Sequence, residues 1–167
     1  DDELIMKYLD GEELTAEEIN RGLRAGINNG TIIPVFCAAA ANNIAIRPLM
    51  DALVAFMPDP AARPAATAER PNGDAVELPA DATGPLAALV WKTVADPYVG
   101  KISYYRVVSG TLRGDSRVWS MPGGHEERIS QLFIPRGKEQ LPVTDLSAGD
   151  IGGVAKLGTT GTNDTLC

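Results

Sequence analysis

The chain has 167 residues with 22 acidic and 15 basic side chains, a formal net charge of −7. That length holds one domain or two small ones, and an acidic chain is a poor binder of free nucleic acid, where phosphate neutralisation dominates affinity. Hydrophobic residues make up 44% and aromatics 5%, so aliphatic side chains and alanine must fill any core, and no apolar run approaches the roughly 20 residues of a membrane span.

The charge is unevenly placed. Residues 1–57 hold 9 acidic and 4 basic groups, 58–82 hold 5 and 2, and 83–167 hold 8 and 9. Asp1, Asp2 and Glu3 have the wrong sign for a secretory leader, and the missing initiator Met with a terminal Cys167 suggests an excised fragment. Cys37 ends an apolar run and reads as a buried free thiol. Two distant cysteines make no disulfide framework and show no zinc spacing, which fits a reducing cytoplasm.

In chain order, residues 1–9 place Leu4, Ile5, Tyr8 and Leu9 at helical spacing, with Asp1 and Asp2 favouring the helix N-terminus and Gly11 ending it. Thr15 and Glu18 form a capping box that opens a second helix with Ile19, Leu23 and Ile27 on one face. Gly22 and Gly26 weaken that helix by about 1 kcal/mol each relative to alanine, and Gly30 is its stop. Residues 32–37, IIPVFC, read as a short strand buried on both faces, although Pro34 points to an edge. A loop over 37–43 follows, and Pro48 then opens a helix with a Leu49, Met50, Leu53, Val54 and Met57 stripe. Residues 58–85 hold half of the 12 prolines among many alanines, an extended linker without a core of its own. Beyond it, strand signals at 86–94, 101–109, 116–121, 127–134 and 151–157 alternate with turns such as Arg113-Gly114-Asp115 and Pro122-Gly123-Gly124. That rhythm predicts an antiparallel barrel or sandwich. Within it, residues 96–112 break parity after Gly100, which predicts a twist or bulge there.

No stretch forms a self-contained active site. There is no GxxxxGK[ST] phosphate loop and no GxGxxG. His125 follows a turn without a triad partner and reads as solvated, and Glu126 and Glu127 on a strand face opposite ways. Two features remain as binding candidates. One is the loop at 37–43, placed where α/β domains hold ligands, although its composition also suits tight packing. The other is the basic set Lys101, Arg106, Arg113, Arg117, Arg128, Arg136 and Lys138, which matters only if some of it clusters on one rim.

Several long stretches resemble one family. DDELIMKYLDGEELTAEEI, TIIPVFC, RPLMDALVAFMPDP, DPYVGKISYYRVVSGTL and AGDIGGVAKL are similar, in order and over nearly the whole chain, to elongation factor G and related translational GTPases. The resemblance implies an α+β chain: residues 1–60 as the C-terminal portion of an α/β GTPase domain, 61–82 as the linker, and 83–167 as the β-barrel second domain. It implies a scaffold and ribosome-contact module of a cytoplasmic factor that acts in translocation, with GTP and magnesium bound by the full-length protein and neither by this fragment. The partners implied are small-subunit ribosomal RNA and the missing remainder of the GTPase domain, with no membrane. Tyr98, Gly100, Lys101, Arg136 and Lys138 stand where the family's barrel loops meet that RNA. After its V-P-V-x-C stretch the family carries Gly-Ser-Ala against the guanine base, whereas this chain has Ala38, Ala39 and Ala40, with Ala41-Asn42-Asn43 where a Lys usually follows. Losing the Ser hydroxyl at Ala39 removes a hydrogen bond worth about 1 kcal/mol, so a divergent paralogue with softened guanine selectivity or altered GTP turnover is expected. Sister factors of the tetracycline-resistance and peptide-release types share these segments and remain alternatives, as does a non-ribosomal interaction barrel.

Overall fold

The computed structural model describes residues 2–121 and 123–167, so Asp1 and Pro122, each part of an expectation above, lie outside the described residues. The chain is α+β and divides into two compact units, Asp1–Pro58 and Asp59–Cys167.

The first unit is helical. It holds α1 (Asp2–Leu9), α2 (Ala16–Asn28) and α3 (Ile46–Phe56). The capping box forms as expected: the Glu18 amide donates to Thr15 Oγ1 at 3.2 Å, and Glu18 Oε2 accepts from the Thr15 amide at 2.8 Å. Glu18 also holds Lys7 Nζ of α1 at 2.8 Å, so one carboxylate both caps α2 and ties α1 to it. The Lys7 hydrogen bond first, and the Thr15 amide second, bring its pKa down to about 2. Gly26 has a packing reason beyond its propensity cost. A Cβ there would lie 2.5 Å from the Ile32 side chain, which crosses the helix at that point.

The expected buried strand at 32–37 is absent. These residues are irregular, Ile33 and Val35 are 84% and 85% exposed, and Cys37 is exposed rather than buried. A strand needs a partner ladder, and among the described residues the unit supplies only an isolated bridge, Ala39 to Ile44.

The second unit is β. It contains β1 (Ala66–Glu69), β2 (Ala75–Leu78), β3 (Ala87–Asp96), β4 (Gly100–Ser109), β5 (Thr111–Arg113), β6 (Arg117–Met121), β7 (His125–Arg128), β8 (Leu132–Arg136), β9 (Glu139–Val143), β10 (Asp145–Ser147), β11 (Ile151–Ala155) and β12 (Thr165–Leu166). Eight strands form one sheet in the order β7-β6-β12-β3-β4-β11-β8-β9, and β1-β2 and β5-β10 make two small separate pairs. All the pairings are antiparallel. The sheet is an open ladder, ending at β7 and β9, rather than a closed barrel.

Its buried face alternates as β4 requires: Ser103, Tyr105, Val107 and Ser109 are buried, and the residues between them face outward. One cluster joins Val90 and Val107 from the centre of the ladder, Val118 and Leu166 from one side, Leu132 from the other, and Leu112 and Leu146 from the β5-β10 pair. Side chains from near both ends of the ladder therefore meet in one core.

Three local expectations change. The stretch read as an extended linker without a core of its own contains the β1-β2 hairpin, turned by Asn72-Gly73-Asp74 with Gly73 at φ 88°. The single strand expected at 127–134 is two, β7 and β8, separated by the irregular residues 129–131 and paired with different neighbours. The irregularity expected at Gly100 lies on the opposing strand, where the β3-β4 register shifts between Val90 and Lys92. Gly100 itself pairs with Asp96 and adopts φ 91°, closing the hairpin turn.

Candidate functional site

The β3-β4 turn presents Tyr98. Asp96 accepts from the Tyr98 and Val99 amides at 2.9 and 2.8 Å, and these bonds, Val99 foremost, lower its pKa. The Asp side chain thus fixes the turn from within, and Tyr98 stands 95% exposed at its apex. Lys101 does not share that freedom. Its ammonium donates to the carbonyls of Thr160 at 2.7 Å and Gly158 at 3.2 Å.

The same loop is gripped from its other side by Glu127, which is 7% exposed. Glu127 accepts from the amides of Gly158, Thr159 and Thr160 at 3.0, 2.9 and 3.1 Å, and from the Thr160 hydroxyl at 3.0 Å. Burial alone would push its carboxyl up, but the three amides outweigh burial and bring it down to about 2. His125 lies 3.2 Å from Glu127 and also hydrogen-bonds Thr159, so it belongs to this network instead of standing in solvent. Lys101 and Glu127 therefore clamp one loop by its carbonyls and its amides respectively. Sequence parity placed Glu126 and Glu127 on opposite faces correctly: Glu126 pairs outward with Arg117 at 2.9 Å. Nothing in the sequence pointed to the loop that Glu127 binds, because its partners are backbone groups about 30 residues away.

The β8-β9 turn carries the other basic candidates. Arg136 is held by Glu139 at 2.7 Å, whereas Lys138 is exposed and has no partner among the described residues. The two turns lie at opposite ends of the sheet. β11 pairs Ala155 with Ile102 and Ile151 with Arg106 on one side, and Val154 with Leu132 on the other. Continuing these registers puts Arg136 level with Val107, six residues from Lys101, or about 20 Å along the strands. Tyr98, Gly100 and Lys101 come together, as do Arg136 and Lys138, but the two groups do not form one rim cluster.

The sheet's outer face carries an aromatic row that the sequence pattern alone does not announce. Trp91 and Tyr104 have ring centroids 6.0 Å apart, and Tyr104 and Phe133 meet edge to face at 6.4 Å. Gly153 of β11 lies between Tyr104 and Phe133, and a Cβ on it would sit 2.5 Å from the Phe133 ring. Alternation along β4 and β8 carries this signal, but only once the pairing with β11 is known.

In the helical unit, Ala39 and Ile44 exchange backbone hydrogen bonds at 3.1 Å around the short 3-10 turn Ala40–Asn42. Asn43 and Ala45 have φ 54° and 58°, a conformation unusual for alanine. Ala38, Ala39 and Ala40 can offer a ligand only backbone groups. The turn's own bonds, from Asn42 to Ala39 and from Asn43 to Ala40, leave the Ala40 and Ala41 amides outside its ladder. Such a loop can donate to an acceptor on a base but supplies no side chain to select one. Among the described residues no group of three His, Cys, Asp or Glu could hold a metal ion.

Comparison with known proteins bears on all of these features. A sequence model of elongation factor G domain 2 matches residues 85–167. Residues 85–167, from just before β3 to the end of the chain, are similar to that domain. A crystal structure of a larger Thermus thermophilus protein is similar over 99% of this chain, with 30% identity and a TM-score of 0.72. The chain spans 22% of the length of that relative. The elongation factor G domain 2 match begins just before β3 and takes in the clamp, both basic turns and the aromatic row. The β1-β2 hairpin and the helical unit lie outside it.

Proposed function

We propose that this chain is a piece of an elongation factor G-like translational GTPase, serving the intact factor as scaffold and ribosome-contact module. The observation that carries the reading is the domain 2 match over residues 85–167, joined to a 30% identical relative that spans the helical unit as well. On this reading the open sheet is the rolled wall of a second-domain barrel, supported by the single core that both halves of the ladder share. Residues 1–60 are the end of a GTPase domain. In support, Gly26 is the one buried residue of α1, α2 and α3, while Ile5, Leu9 and Val54 are exposed, as in a segment made to pack against more protein.

The intact cytoplasmic factor binds GTP with magnesium and uses GTP-driven movement in translocation. The Ala38–Ala40 loop meets the base through backbone amides alone, and softened guanine selectivity follows. GTP and ATP affinities of the full-length protein test this directly, and a strict GTP preference of ordinary strength would contradict it. For contact with small-subunit RNA, Tyr98 and Lys138 are the available groups, since Lys101 and Arg136 are engaged within the fold. Co-sedimentation of the intact factor with ribosomes in a non-hydrolysable GTP analogue tests the reading, and failure to pellet would remove it.

A further inference from the structure

A groove of about 430 Å³ lies against the outer face of β3 and β4, walled by the segment that leads into β1 and by the end of β2. Its lining is aliphatic and proline-rich except for two cations, Arg63 and Arg106. Neither guanidinium has a hydrogen-bond or carboxylate partner among the described residues. Elsewhere in this unit Arg117 and Arg136 have such partners, and Arg70, Arg113 and Arg128, which like Arg63 and Arg106 have none among the described residues, do not line this groove. The acids that neighbour the groove in sequence are already engaged: Asp59 accepts from the Ala62 amide at 2.8 Å and Asp150 from the Ser147 amide at 2.8 Å. Two guanidiniums in an apolar groove on an acidic chain mark a place where carboxylate is wanted and absent.

The groove is also bordered by Ala66, the first residue of β1, and β1 pairs only with β2 among the described strands. Its other edge keeps unpaired backbone donors and acceptors, the template onto which an extended peptide adds. We infer that this groove docks an extended acidic protein segment, which adds along β1 and places a carboxylate between Arg63 and Arg106. A nucleic acid fits less well, since strand binding wants a charged track with stacking rings, and the walls here are alanine, leucine, valine and proline. Glu69 at the far end of β1 and Glu77 opposite Thr67 set the polarity of the guest. Its acidic residue belongs at the Ala66 end and an uncharged or basic one beside Glu69.

The test measures fluorescence polarisation of a labelled glutamate–valine decapeptide on the 167-residue chain. Its lysine–valine counterpart and a ten-nucleotide single-stranded RNA serve as rival probes. Saturable binding of the glutamate peptide is expected, weakened at least tenfold by Arg63→Gln with Arg106→Gln and unchanged by Arg128→Gln on β7. Exposed Arg63→Gln alone, expected to weaken binding at least threefold, guards against a folding defect from the β4 change. Slowed amide exchange at 66–69 on peptide addition is the backbone signature. Equal or tighter binding of the lysine peptide or the RNA overturns the inference, as do an unaffected double variant and unprotected amides.

Discussion

Glu127 accepts three consecutive amides and a hydroxyl while almost wholly buried, so its ionised form is part of the fold. Its pKa of about 2 lies below the ordinary 4.5. A depressed carboxyl contributes stability that is fully present above about pH 4.5 and is lost as pH falls towards 2. The span of the shift corresponds to about 3 kcal/mol as an upper scale. Glu127→Gln is therefore expected to destabilise the β unit by roughly 2 kcal/mol at pH 7 and by much less near pH 2. Urea melts at the two pH values check this, and an equal loss at both would show that charge is not what holds the loop. Tyr105 presents the opposite case. Its hydroxyl is buried without a partner among the described residues, and burial first, with Asp150 second, raises its pKa. Removing an orphaned hydroxyl costs nothing in lost bonds, so Tyr105→Phe should leave the thermal midpoint unchanged or raise it by a few degrees. A clear drop would reveal a partner for that oxygen.

At the scale of elements, what could be read from the sequence divides by how far away the partners lie. The Thr15–Glu18 capping box is a four-residue device and forms as its spacing implies. The β4 alternation is equally local. Asn72-Gly73 between two short β-prone runs was a hairpin signal of the same kind, hidden by the prolines around it. By contrast, residues 32–37 carry a strand's composition but find no ladder, and hydrophobic pattern cannot supply a neighbour. The placement of the basic residues was out of view for a related reason. Only the β4-β11-β8 register shows Lys101 and Arg136 at opposite ends of the sheet. The double role of Glu18 was likewise out of view, since Lys7 reaches it from another helix. Glu18→Ala is expected to cost α2 the reciprocal half of its capping box and its tie to α1, while the Thr15 Oγ1 bond to the residue-18 amide survives, with exchange of the Thr15 amide accelerating at least tenfold. Exchange confined to its present rate would place the helix's stability elsewhere.

For the whole molecule, the two units differ in what they bury. The β unit encloses a core drawn from its full ladder, whereas the helical unit leaves most of its large apolar side chains in solvent. Denaturation should therefore show a cooperative transition for residues 59–167 alone, and near-UV and far-UV signals that part company if the helices melt separately. The reading as part of a ribosomal factor rests on the domain 2 match and gives Tyr98 and Lys138 a specific role. The measurement that bears on it most directly is co-sedimentation of the intact protein with ribosomes in a non-hydrolysable GTP analogue, across a salt series. The account expects analogue-dependent pelleting that Tyr98→Ala with Lys138→Glu weakens several-fold and that Arg117→Glu leaves alone. Absence of pelleting, or pelleting indifferent to both turns at every salt concentration, would contradict it.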